Sequence, residues 1–111
     1  MAYTQRLDWE PLRSIDATTF TGAYQAVGTP LTNPSYIIKL VNNSSVFVTI
    51  SKDGVTDIDV APANSYWLYD ESKAGAIASA PSLPAGTQIF VKGNAGGSGN
   101  VYLVSQFIIQ S

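Results

Sequence analysis

Residues 45–60 read SVFVTISKDGVTDIDV, two alternating apolar runs set around the turn Lys52-Asp53-Gly54-Val55. In the first run, Ser45–Ser51, alternation puts Val46, Val48 and Ile50 on one face of a strand. Asp53-Gly54 is a strong hairpin signal, because tight hairpin turns need positive φ angles that glycine adopts freely. The second run, Asp57–Val60, sends Asp57 and Asp59 outward and Ile58 and Val60 inward. Just upstream, Ser35–Val41 is rich in β-branched and aromatic residues, and Asn42-Asn43-Ser44 ends it. Together the three runs predict a meander.

The same reading extends in both directions. Pro62-Ala63-Asn64 turns the chain into a fourth strand, Ser65–Asp70, and Thr87–Lys92 and Val101–Ile109 are later strands. Thr18–Val27 is a strand or a bent pair, with Gly22 marking a bulge. Residues 71–86 carry small residues, prolines and glycine and read as a loop, and Gly93–Asn100 reads as a flexible connection. About seven strands joined by short turns predict an all-β sandwich, jelly-roll or immunoglobulin-like, over residues 16–111. Residues 1–15 form an extended N-terminal arm, because Pro11 blocks helix continuity and restricts Glu10.

Charged residues make up 13% of the chain, about half the usual share, while hydrophobic residues reach 45%. A poorly charged surface favours association over life as a free monomer. The six basic residues are scattered singly, so the clustered cations that neutralise phosphates or hold anionic membranes are missing, and neither nucleic acid nor a membrane is expected as a direct partner. The chain has no cysteine and hence no disulfide framework. Its first residues, MAYTQRLDWEPLRS, show no apolar run of the signal-peptide kind, and the expectation is synthesis in a cytoplasm without export.

A two-layer sandwich strand should show one apolar and one polar face. The last strand departs from that rule. Val101, Leu103, Phe107 and Ile109 lie on one side, and Tyr102, Val104 and Ile108 on the other. The arm adds Tyr3, Leu7, Trp9, Leu12 and Ile15, large groups that must be covered by the chain's own sandwich or by a neighbouring subunit. Burying one such side chain is worth roughly 1.5–3 kcal/mol, so Tyr102, Val104, Ile108 and the arm residues are the expected subunit contacts.

The residues offer little for catalysis. With no histidine and no cysteine, the common general base, the thiol nucleophile and the usual zinc ligands are missing, and no enzymatic activity or cofactor is expected. Asp53, Asp57 and Asp59 do not follow the order of an EF-hand loop and read as a turn and a solvated hairpin, without metal. Gly93–Gly99 lacks the strand–loop–helix context and the Gly-Lys-Ser/Thr of a phosphate loop. Tyr66, Trp67 and Tyr69 crowd one strand. They read as core and interface packing, with sugar stacking by a carbohydrate-binding or host-recognition module as the alternative.

Phe20–Leu31 (FTGAYQAVGTPL), Lys39–Asn43 (KLVNN), Ile50–Gly54 (ISKDG) and Tyr69-Asp70 stand in an order that resembles small structural proteins of tailed bacteriophages. The likeness covers roughly residues 18–70 at the level of pattern. It implies a jelly-roll or immunoglobulin-like sandwich that forms symmetric multimers with itself and with capsid, portal or tail subunits. It also implies a place in the virion, at the head surface, neck or tail, and brings no catalytic residues to transfer.

Overall fold

A computed structural model describes residues 5–35, 37–70 and 84–110, and these form a β-sandwich of two antiparallel sheets. The strands are β1 (Gln5–Trp9), β2 (Arg13–Asp16), β3 (Gln25–Ala26), β4 (Ile37–Ser44), β5 (Val48–Ser51), β6 (Asp59–Ala61), β7 (Ser65–Asp70), β8 (Phe90–Lys92) and β9 (Gly99–Gln110). Sheet A runs β1-β9-β4-β7, with β2 also paired to β9, and sheet B runs β3-β8-β5-β6. Between them lie Ile38, Leu40, Val48, Ile50, Ile89, Val91, Val101 and Leu103, all at most 1% exposed. No described helix is long and apolar enough to cross a membrane.

A turn forms at Asp53-Gly54, but within a loop wider than a tight hairpin, since Ile50 pairs with Asp59. Gly54 takes φ +79°, and the Asp53 carboxylate accepts from the Val55 and Thr56 N–H groups and from the Ser51 hydroxyl. Hydrogen bonds from Thr56 N–H first, then Val55 N–H and Ser51, hold Asp53 far below the usual carboxylate range. Three other expectations are corrected. The three-strand meander does not form, since β4 lies in sheet A and pairs β7 and β9, whereas β5 and β6 lie in sheet B. Ile58 and Val60 face solvent at 44% and 51% exposure, because β6 is an edge strand whose inward position is taken by Ala61. Within Thr18–Val27 only Gln25–Ala26 is strand; Ala17–Thr19 is a 3-10 turn capped by the Asp16 side chain.

Asn42-Asn43-Ser44 continues β4 instead of ending it. Asn42 is fully buried, and its amide donates to the carbonyls of Val46, Ala61 and Pro62 at 2.9, 2.9 and 3.1 Å. Its carbonyl accepts from the Ser44 N–H and hydroxyl. One side chain therefore satisfies the backbone of the β4–β5 crossover and the end of β6, where the chain passes between sheets. A buried polar group that finds all its partners costs nothing further and fixes the geometry.

The N-terminal segment is extended, and from Gln5 onward it is a sheet strand of its own chain. Trp9 stands opposite Gln106 and Arg13 opposite Leu103, so four steps on this segment face three on β9. The extra residue is a bulge at Glu10-Pro11-Leu12, where Pro11 has no N–H to give the ladder. In a regular strand residues three apart point to opposite faces; the bulge turns Glu10 and Arg13 to the same side. Their side chains are 6% exposed or less and form an ion pair at 2.8 Å.

Around this pair, Arg13 donates to the carbonyls of Thr29 and Pro30 at 2.7 and 2.8 Å, with longer contacts to Pro11 O and Ser105 Oγ. Glu10 accepts from the Thr32 N–H and from both nitrogens of Asn33. Gly28, at φ +67°, lies so close that an added Cβ would stand 2.8 Å from Arg13 Cβ and Cγ. The segment is thereby clamped to the loop of residues 28–33. Among the described residues, no buried side-chain polar atom lacks a partner.

Burial pushes the Glu10 carboxyl up, but hydrogen bonds from Thr32 N–H, the Asn33 side chain, Arg13 and Asn33 N–H outweigh it and hold it below its ordinary value. A carboxyl lowered in the folded state contributes stability that is present above its unfolded pKa of about 4.3 and disappears as pH falls through the folded value. Denaturation midpoints are therefore expected to be level near neutrality and to drop on acidification below about pH 4. Asp16, Asp53 and Asp57 are lowered too and stay in a Glu10→Gln variant. The difference between wild-type and Glu10→Gln profiles isolates Glu10; parallel profiles would remove it from the acid limb.

Candidate protein-contact face

Alternation along β4 divides its side chains between two environments. Ile38, Leu40 and Asn42 are buried between the sheets, and Ile37, Lys39, Val41 and Asn43 look outward from sheet A. Register then assembles the outer face in rows. Val41 lies between Tyr66 of β7 and Tyr102 of β9, and Lys39 between Leu68 and Val104. One step further, Gln106 stands between Ile37 and Trp9. Tyr66, Leu68 and Trp9 are 64%, 49% and 60% exposed, and Tyr102 and Val104 are half-buried. Between β4 and β7 the face hollows into a groove of about 480 Å³, closed at one end by Asn64 and Ser65.

This surface is apolar across four strands and carries Lys39 at its centre. The ion pairs among the described residues are Arg13–Glu10 and Lys92–Asp57. No protein-family model matches the chain, and no curated protein does. What the face can do therefore follows from its own chemistry: it offers area for apolar contact around an exposed lysine, Lys39.

The expected contact residues distribute as follows. Tyr102, Val104 and Trp9 lie on the outer face of sheet A, and Leu12 is 62% exposed beside it. Leu7 and Ile108 stand opposite each other in the β1–β9 ladder. Ile15 packs against the core, because β2 turns Arg13 and Ile15 inward and Ser14 and Asp16 outward. Tyr3 lies outside the described residues, as does most of the expected loop at 71–86. Tyr66 and Leu68 complete the face; the alternation of β7 contains them, but only the position of β7 beside β4 shows which side is open.

The three crowded aromatics do not form one platform. Trp67 and Tyr69 pack against the core, Trp67 with its indole N–H donating to Asp59 at 2.6 Å, while Tyr66 alone of the three faces outward. The three aspartates also point to separate tasks. Asp53 closes its turn, Asp59 holds Trp67, and Asp57 accepts from the Tyr24 hydroxyl with Lys92 at 3.2 Å. Lys92 also sits 4.7 Å above the Tyr24 ring. Burial and then the Asp57 carboxylate push the Tyr24 phenol up to about 12, so it is a hydrogen-bond donor at neutral pH and no base. Tyr24 and Lys92 in turn hold Asp57 below the carboxylate range.

Proposed function

We propose that this chain is a non-enzymatic structural subunit that acts by packing the outer face of sheet A against other protein subunits, in the particle of a tailed bacteriophage. The observation that carries the packing is the apolar outer face itself, in a chain with only 13% charged residues. Large aromatic and aliphatic groups aligned in register on an open sheet are what interface centres are made of. The phage setting is supported by the resemblance of residues 18–70 to small head, neck and tail proteins of such particles. The sugar-binding alternative is left with Tyr66 as its single outward ring on β7.

Sedimentation velocity at micromolar concentration is expected to show a defined multimer, and purified phage heads or tails are expected to bind the protein. Tyr66→Lys, which places a second cation beside Lys39, is expected to weaken that association at least tenfold, about 1.4 kcal/mol, with an unchanged circular dichroism spectrum. A stable monomer that binds neither heads nor tails would sink the proposal.

A further inference from the structure

We infer that Asp53-Gly54 is a site of backbone modification, an aspartate prone to become isoaspartate, which the folded turn holds unreactive through the Ser51 hydroxyl. The inference goes beyond the assembly reading and stands without it. The sequence supplies the hazard. Asp53-Gly54 is the one Asp-Gly pair in the chain, and Asn-Gly does not occur. Glycine carries no side chain to shield its backbone nitrogen from the carboxyl that precedes it.

The reaction needs no oxidant and no cofactor. The Gly54 nitrogen gives up its proton and bonds to Cγ of Asp53 while the Cγ–OH bond breaks, so water leaves and a succinimide ring forms. Water then adds back to either carbonyl of the ring. Opening at Cγ restores aspartate. Opening at the main-chain carbonyl leaves the chain running through Cγ, which is isoaspartate. The main chain is then one methylene longer, and the side-chain bonds from Asp53 to the Val55 and Thr56 N–H groups are lost.

The turn opposes this chemistry at both reacting groups. The Gly54 N–H donates to Ser51 Oγ at 3.0 Å, which commits the hydrogen that the nucleophile must shed. The same hydroxyl donates to Asp53 Oδ1 at 2.7 Å and accepts from the Asp53 N–H at 3.2 Å. That carboxylate oxygen also accepts from the Val55 and Thr56 N–H groups, both at 2.7 Å. Bringing Cγ onto the Gly54 nitrogen means turning the carboxyl group, and turning it breaks these bonds together. They also keep the carboxyl ionised, whereas water is expelled from the protonated acid. Ser51 is fully buried, so bulk water does not compete for its hydroxyl while the turn is closed. The reaction therefore runs from the opened turn, and its rate reports how often the β5–β6 connection opens.

The test ages the full chain near neutral pH for several weeks and measures isoaspartate at position 53 by peptide mapping with mass spectrometry. Folded wild type is expected to form it at least about tenfold more slowly than the same chain unfolded in guanidinium chloride, because the reaction waits on opening. Ser51→Ala, shown to be folded by circular dichroism, is expected to form it several-fold faster than wild type. Where Ser51→Ala does not fold, Val55→Pro takes its place. It deletes one donor to the carboxylate at an exposed position and is expected to act in the same direction. Equal rates in the folded and unfolded wild type, or no isoaspartate in either, overturn the inference. A protected wild type beside a folded Ser51→Ala that ages no faster overturns the part assigned to Ser51.

Discussion

Arg13→Ala is expected to destabilise the fold by about 3–5 kcal/mol, the cost of stranding one member of a buried ion pair. The argument is geometric. The guanidinium is the donor for Glu10, for the Thr29 and Pro30 carbonyls and for the more distant Ser105 hydroxyl, at a site about as dry as the core. Alanine leaves the Glu10 carboxylate buried with its backbone donors but without its counter-charge. Arg13→Lys is expected to recover little, since one ammonium on a flexible stem cannot reproduce a planar fork that serves several acceptors at once. The double variant Glu10→Leu with Arg13→Met is expected to lose far less than Arg13→Ala, because no uncompensated charge remains. Urea denaturation of the three variants decides it; a loss under about 1 kcal/mol for Arg13→Ala would show the pair to be hydrated and dispensable.

Asn42→Leu is expected to cost a similar amount, about 3–5 kcal/mol, although leucine nearly matches asparagine in size. The Ala61 carbonyl loses its amide donor and the Ser44 N–H loses its acceptor in a buried setting, each worth roughly 1–3 kcal/mol when left unpaired, whereas the Val46 carbonyl keeps the Ser44 hydroxyl and the Pro62 carbonyl keeps Ser65. The neighbouring Asn43 is the internal control. It looks outward from sheet A, so Asn43→Ala is expected to stay within about 0.5 kcal/mol of wild type. The pair is read by thermal or chemical denaturation, and equal effects at the two positions would overturn the bridging role of Asn42.

These two sites also mark where the sequence stops being legible. The Asp53-Gly54 turn and the inward set Val48 and Ile50 are visible in the chain because local backbone preference and period-two alternation decide them. Asn42 is not, because an asparagine pair signals a break in most contexts, and only the crossover between sheets makes one of them a buried hub. Ile58 and Val60 are inverted for a related reason. Alternation shows that two faces differ but not which one meets the core, and this edge strand turns its larger residues outward. Glu10 and Arg13 escape because residues three apart in a strand should diverge; Pro11 is the available hint of the bulge that brings them together. On the outer face of sheet A, Trp9 follows from the large apolar groups of the arm and Tyr102 and Val104 from the two-sided last strand, whereas Tyr66 and Leu68 require knowing that β7 lies beside β4. The central place of Lys39 comes from register alone.

The pairing of β9 with β1 and β2 has a kinetic consequence. Arg13 and Ser105, which meet at the clamp, are 92 residues apart, so the middle of sheet A cannot close until both ends of this stretch are available. Loop-closure entropy grows only slowly with length, but long-range pairing of this kind places such sheets among the slower folders, on the scale of milliseconds to seconds. The outer face comes into being with that late event. A chain still emerging from the ribosome has the apolar residues but not yet their alignment, and its sticky surface is withheld until synthesis has passed β9.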